Sequence, residues 1–304
     1  MSEPSTFDAL SALSRRLEEL AAVPSGAVVG VRSHGRLAAS GIVWKPGVVV
    51  TASDAIESDD DLSVVTPDKP LGARLAGQDP ATGIAVLRVS EGLPEPQNLA
   101  VGAGARVGQM VLALGRGEEG IVASLGMVSV AGGTWQSRRG GRIDRLIRLD
   151  MRLGAQSEGG IVVDSAGATL GMVLLGPRRR PLVIPAATIE RVAPKLLADG
   201  RIARGYLGVG LHSIRLDDAL AAVHALADRR ASMVVSVDPD GPAREAGILI
   251  GDVIVELDGA PLPGPRSLLA KLTPESVGNV AQLKLLRAGQ IATARVAIGA
   301  RPAP

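Results

Sequence analysis

Three histidines and no cysteine limit the chemistry open to this chain of 304 residues. Without a thiolate, nucleophilic catalysis needs a hydroxyl activated by an imidazole, and an acid that fixes that imidazole's tautomer. His34 lies in the apparent hairpin turn Ser33-His34-Gly35, and His212 and His224 fall in the last third of the sequence. Two stretches have spacings that could position reacting or binding groups. One is Arg148 to Val163, Arg-Leu-Asp-Met-Arg-Leu-Gly-Ala-Gln-Ser-Glu-Gly-Gly-Ile-Val-Val, where Glu158 precedes Gly159-Gly160. A glycine pair lets the backbone turn tightly and present N–H groups to an oxyanion. The other is Arg204-Gly205-Tyr206-Leu207-Gly208-Val209-Gly210-Leu211, a hydrophobic strand entered through glycines.

The rest of the chain must position these groups. The length predicts two domains or slightly more, each able to bury its own core. Hydrophobic residues make up 46% of the chain, with 2 Trp, 1 Tyr and 1 Phe, so the cores must be built from Val, Leu, Ile and Ala. With 33 basic against 31 acidic residues the formal charge is +2, which makes nucleic acid a poor partner. Arg178-Arg179-Arg180 and the cluster Arg138, Arg139, Arg142, Arg145 and Arg148 read as solvated loops. The absence of cysteine excludes disulfides and thiol-ligated metals, and no cofactor or metal site is expected. The first 25 residues carry Asp8, Arg15, Arg16, Glu18 and Glu19 with no long apolar run, and no membrane span is legible. The expectation is a cytoplasmic chain, with the periplasm as the alternative if a leader has been removed.

Ser5 to Ala22 reads as an amphipathic helix with Phe7, Leu10, Leu13, Leu17 and Leu20 on one side, docked on its own domain or meeting a second copy. From Gly26 to about Val192, short β-rich runs alternate with Gly, Pro and Asp turns, which argues an all-β barrel or sandwich. Pro194 to Arg201 reads as a short helix end and linker. Val234 to Ile248 gives a strand, a turn and a one-turn helix opened by Pro242 and stopped by Gly247. Gly251 to Gly259 follows as turn, strand and hairpin signal. Arg266 to Leu272 reads as a helix, and Val280 to Ile298 as a closing hairpin.

Several of these segments resemble the HtrA type of trypsin-like protease. Ser40-Gly41-Ile42-Val43 and Gly47-Val48-Val49-Val50-Thr51-Ala52-Ser53-Asp54 are similar to the strands leading to that family's catalytic histidine, with Asp54 at its position. Asp79-Pro80-Ala81-Thr82-Gly83-Ile84-Ala85-Val86-Leu87 resembles the segment of the triad aspartate, with Gly83 at its position. In Arg148 to Val163 the reactive serine is matched by Glu158. Gly126-Met127-Val128-Ser129 and Leu182-Val183-Ile184-Pro185 continue the likeness in family order. Residues 204 to 299 resemble the appended PDZ domain. The resemblance implies a mostly β fold, divided as an N-terminal helix 1–24, a trypsin-like double β-barrel 25–194, a linker 195–203 and a PDZ domain 204–301.

That resemblance implies a protein without the family's chemistry. Asp54 is a feeble base near neutrality, with an ordinary pKa of about 3.9. Gly83 has no side chain to orient anything, and Glu158 places an anion where negative charge would develop. Glu158 is expected in the old oxyanion site, accepting the N–H bonds a substrate once took; Ser157 is one step off for a substitute nucleophile. The function implied is a pseudoprotease that binds protein C-termini or unfolded, apolar peptides as a scaffold, regulator or chaperone-like subunit. Tyr206, Leu207, Gly208 and Val209 would form the carboxylate loop, and Gly210 and Leu211 would begin the edge that accepts the peptide. Leu268, Leu269 and Leu272 would line a side-chain pocket or belong to the core, with Leu216 to Leu226 lying over the groove. A homo-oligomer is expected, a trimer above others, with Phe7 against its neighbour. Two alternatives stand beside it: a hydrolase rebuilt around Asp54 and Glu158, and an inactive partner of an active HtrA relative.

Overall fold

The computed structural model describes residues 6–56, 58, 60–96, 104–176, 179–224, 226 and 228–301, so the Ser5 cap and the Phe7 side chain lie outside the described residues. The chain divides into two units, Met1–Ile202 and Ala203–Pro304.

The first unit begins with helix α1 (Thr6–Ser25). At the C-terminal end of its apolar stripe Leu20 packs among Val28, Ile42 and Leu112, while Leu10 and Leu13 remain 63% and 43% exposed. Strands β1 (Val28–Ser33), β2 (Arg36–Lys45), β3 (Val48–Ala52), β4 (Ser63–Val65), β5 (Pro70–Asp79) and β6 (Ile84–Val89) close into a barrel in the order β1-β2-β3-β6-β5-β4. Successive residues of a strand face opposite sides, which sorts them into two cores. Val29, Val31, Val43, Val49 and Leu87 fill one core. Their neighbours Val28, Ile42, Val48, Val50 and Val86 pack with Leu114, Ile161 and Met172 of the second barrel.

That second barrel is built from β7 (Met110–Gly117), β8 (Gly120–Ala131), β11 (Ile147–Asp150), β12 (Ile161–Asp164), β13 (Thr169–Leu175) and β14 (Pro181–Pro185), in the order β11-β14-β13-β12-β7-β8. Short strands β9 (Trp135–Gln136) and β10 (Arg142–Ile143) form a separate pair. Helix α2 (Ala186–Asp199) then buries Thr188, Ile189, Val192, Ala193 and Leu196 along one face, and Gly200 ends it with a φ of 71°. The helix corrects the expectation of a linker starting at 195. Pro194 lies inside it as residue nine, and the burial of Val192, Ala193 and Leu196 on either side outweighs the hydrogen bond that proline cannot donate.

The second unit contains β15 (Gly205–Tyr206), β16 (Val209–Arg215), α3 (Asp218–Val223), β17 (Arg230–Val237), α4 (Pro242–Glu245), β18 (Val253–Leu257), β19 (Ala260–Pro261), α5 (Pro265–Lys271), β20 (Val280–Arg287), β21 (Gln290–Ala297) and β22 (Gly299–Ala300). Its main sheet runs β16-β17-β18-β20-β21, which leaves β16 at an edge. Alternation again separates two faces. Val234, Ile254 and Leu285 meet Leu207, Ile248 and Leu268 in the main core. Val255 and Leu286 point the other way and pack with Leu216, Leu220 and Leu226. The 216–226 insertion therefore covers the sheet face opposite the α5 side and does not lie over the groove, as His224 bonding to the Gly289 carbonyl oxygen at 2.8 Å also requires.

Candidate functional site

Asp54, Gly83 and Glu158 come together at a cleft of about 710 Å³ in the first unit. β3 delivers Asp54 on a single 3-10 turn (Ser53–Ala55), and a second such turn (Ala155–Ser157) delivers Glu158 just before β12. Gly83 has a φ of 77°, and a Cβ there would stand 2.5 Å from the Leu174 Cδ1, so the position is shaped for glycine rather than for a carboxylate. The glycine pair is needed for packing: a Cβ on Gly159 would lie 2.2 Å from the Ser40 carbonyl oxygen, and one on Gly160 2.1 Å from that of Leu114.

The Glu158 carboxylate does not lie in an oxyanion hole, contrary to expectation. It accepts the N–H of Leu175, at the end of β13, at 3.0 Å. Within this turn the Ser157 N–H donates to the Gly154 carbonyl oxygen at 3.1 Å and the Glu158 N–H to that of Ala155 at 3.2 Å. The N–H at the nucleophile position, one of the two that an oxyanion hole would use, is therefore spent on the turn itself. Burial pushes the Glu158 carboxyl above the usual range, the Leu175 N–H and the Arg179 charge pull it down, and the charge of Asp54 adds to the rise.

Asp54 is exposed and paired with Arg139, whose Nη1 donates to its Oδ1 at 3.1 Å and to the Pro80 carbonyl oxygen at 3.3 Å. The loop bearing Arg139 is pressed close: a Cβ on Gly141 would meet the Ala81 carbonyl oxygen at 2.1 Å. Ser157 is buried with an unpartnered Oγ and does not line the cleft. No histidine lines it either; the His34 Nε2 lies 3.1 Å from the Ser58 Oγ, and His212 is exposed on β16. Among the described residues no group of three His, Cys, Asp or Glu is placed to hold a metal ion.

The described arginines of the two clusters are exposed, as expected, and four of them also border the cleft. Arg138, Arg139, Arg148 and Arg180 line it together with Trp135, Ile143, Leu146, Leu174, Leu182 and Ile184, with Arg148 on β11 rather than in a loop. Their clustering on either side of the Glu158 segment was the one sequence signal available; their convergence depends on barrel closure.

In the second unit, Tyr206 ends β15 and Leu207 is buried, with its carbonyl oxygen accepting the Ala243 N–H at 2.8 Å. Gly208 has a φ of 77°, and its carbonyl oxygen accepts the Asp238 N–H at 2.8 Å. The Tyr206 hydroxyl donates to the Asp238 carboxylate at 2.7 Å, a contact that sequence spacing did not reveal. Val209, Gly210 and Leu211 lie on edge strand β16, beside α5. Leu268 and Leu272 are buried in the main core and Leu269 is 36% exposed, so the three do not share one pocket wall. The helix turns by about 100° per residue, which sets Leu269 off the face of the other two.

Two closed six-stranded barrels followed by an edge-exposed sheet with three short helices define a trypsin-like domain joined to a PDZ domain. Comparison agrees segment by segment: the trypsin-like peptidase domain family matches residues 39–172 and the PDZ domain family residues 205–298. A relative in Brucella suis, named "Probable periplasmic serine endoprotease DegP-like", is 32% identical over 285 residues, covering 88% of this chain and 54% of that protein. One of the same name in Pseudomonas fulva is 30% identical over 271 residues, covering 86% and 55%. The crystal structure of the serine endoprotease from Yersinia pestis aligns over 99% of this chain and 100% of that one, with 25% identity and a TM-score of 0.73. The chain belongs to the HtrA-type family. It spans about half the length of the curated relatives it matches.

These comparisons overturn the cytoplasmic expectation, since the relatives are named periplasmic and point to that compartment. An apolar leader missing from a sequence that spans half of its relatives carries no information on export. No described helix is long and apolar enough to cross a membrane.

Proposed function

We propose that this protein is a non-catalytic HtrA-type protein that binds protein C-termini or unfolded, apolar peptides through its PDZ domain, as a scaffold, regulator or chaperone-like subunit. The observation that carries the reading is the Glu158 carboxylate, turned onto the Leu175 N–H, with the Glu158 N–H itself bonded to the Ala155 carbonyl oxygen. Neither a hydroxyl nucleophile nor an imidazole lines the cleft at the expected positions, and Arg139 holds Asp54 away from the role of base. A hydrolase rebuilt on Asp54 and Glu158 gains no support from this geometry.

Binding falls to the second unit. Edge strand β16 has backbone groups to pair with an extended peptide, and the Tyr206-Leu207-Gly208-Val209 turn stands at its start to receive a terminal carboxylate. Leu10 and Leu13, exposed on α1, supply apolar surface for a homo-oligomer, a trimer above others, or for contact with an active relative. The test is a titration of the full chain with a peptide selected from a C-terminal library, with its carboxylate free and amidated. Amidation is expected to weaken binding by at least about tenfold. Equal binding of both forms would refute carboxylate recognition.

A further inference from the structure

We propose that the disused cleft of the first unit is a binding site for an alkyl carboxylate, an apolar chain ending in a single anionic head. Its volume of about 710 Å³ falls inside the range of roughly 300–1,000 Å³ usual for small-ligand sites. The lining divides by chemistry. Ile143, Leu146, Leu174, Leu182 and Ile184 supply aliphatic surface, with Trp135 beside them. Arg138, Arg139, Arg148 and Arg180 supply four guanidinium groups against the two carboxylates of Asp54 and Glu158, so the cleft carries a positive surplus. Arg139 is committed to Asp54, which leaves Arg138, Arg148 and Arg180 to meet an incoming anion. A guanidinium fork matches a carboxylate in shape and charge.

The same cleft is poorly equipped for a peptide. An extended chain needs backbone donors along its path, and three at the wall are used: the Leu175 N–H by Glu158, the Gly176 N–H by the Arg180 carbonyl oxygen at 3.0 Å, and the Glu158 N–H by the Ala155 carbonyl oxygen. A ligand held by its apolar chain and one charged head needs none of them.

Trp135 supplies the readout, since Trp44, the other tryptophan, is buried in the barrel core with its indole N–H on Glu190. The full-length chain is titrated with decanoate, with decanol and with a decyl ammonium cation, following tryptophan fluorescence and calorimetry. Decanoate is expected to bind saturably at one equivalent. Both the uncharged and the cationic chain should bind at least about tenfold more weakly. Arg148→Ala with Arg180→Ala should weaken decanoate by a similar factor, and Trp135→Phe should abolish the fluorescence change while calorimetric binding persists. Equal affinity for decanol, a signal that survives Trp135→Phe, or displacement of decanoate by a free C-terminal peptide would each overturn the assignment. A peptide that binds without displacing decanoate leaves the PDZ reading to stand or fall by itself.

Discussion

The Glu158 carboxylate caps the Leu175 N–H at 3.0 Å, and in doing so it bridges the turn before β12 to the end of β13. This contact can be made by both carboxylate and carboxylic acid, and on the non-catalytic reading proposed above the position serves structure rather than reactivity. Restoring the hydroxyl should therefore restore nothing. Glu158→Ser, alone or with Asp54→His, is expected to stay unlabelled by an active-site phosphonate in intact-mass spectra, because Gly83 offers no carboxylate to orient the imidazole and the Glu158 N–H stays on Ala155. A stoichiometric adduct on the introduced serine would mean that only the nucleophile was missing.

Glu158 also sets a pH dependence. Its carboxyl is raised in the folded chain, chiefly by burial, so the folded state holds a proton that the unfolded state releases. The associated stability is fully present below the unfolded pKa and lost as pH rises through the folded one. Glu158→Gln keeps an oxygen for the Leu175 N–H and removes the ionisation. Its melting temperature should exceed that of the native chain at neutral pH, with the gap closing in acid. A gap that widens in acid would reverse the sign.

Tyr206 ties the Tyr206–Val209 turn to Asp238, and that hydrogen bond raises the Tyr206 hydroxyl pKa and lowers that of the Asp238 carboxyl. Tyr206→Phe should loosen the loop and weaken peptide binding several-fold by calorimetry. Gly208→Val should be more severe, since the φ of 77° disfavours a branched residue and a Cβ would approach the Gly241 Cα to 3.0 Å. Unchanged affinity in both variants would place peptide recognition elsewhere.

Asp252 is 1% exposed and held by two Arg287 nitrogens at 2.8 and 2.7 Å and by the Leu249 N–H at 2.9 Å. The arginine bonds, followed by the backbone bond, lower its pKa against the effect of burial. The stability it contributes is present above the ordinary aspartate pKa and lost as pH falls through the depressed one. Asp252→Asn should lower a neutral-pH melting transition by roughly 5–10 °C, and by less in strong acid.

Short apolar runs between turn residues made strands of both barrels legible, Val48 to Thr51 and Ile84 to Val89 in the first, Met110 to Leu114 and Ile161 to Val163 in the second. Helix α2 was hidden for a local reason: Pro185 at its start gives no side-chain cap, and Pro194 inside it reads as a breaker. The positions of Asp54, Gly83 and Glu158 were readable from motif order alone. Their partners were not. Arg139 reaches Asp54 across 85 residues, and which N–H Glu158 takes is decided by how β12 and β13 pair. Leu268, Leu269 and Leu272 have helical spacing that fits a pocket wall or a core equally well, and only the packed α5 separates them.

The most direct measurement is the incubation of the purified full-length chain with unfolded casein, followed by mass spectrometry for new termini, beside a Glu158→Ala control. The expected result is no cleavage above that control over hours at neutral pH. Turnover that exceeds it and disappears in Glu158→Ala would show a working catalytic centre and contradict the non-catalytic reading.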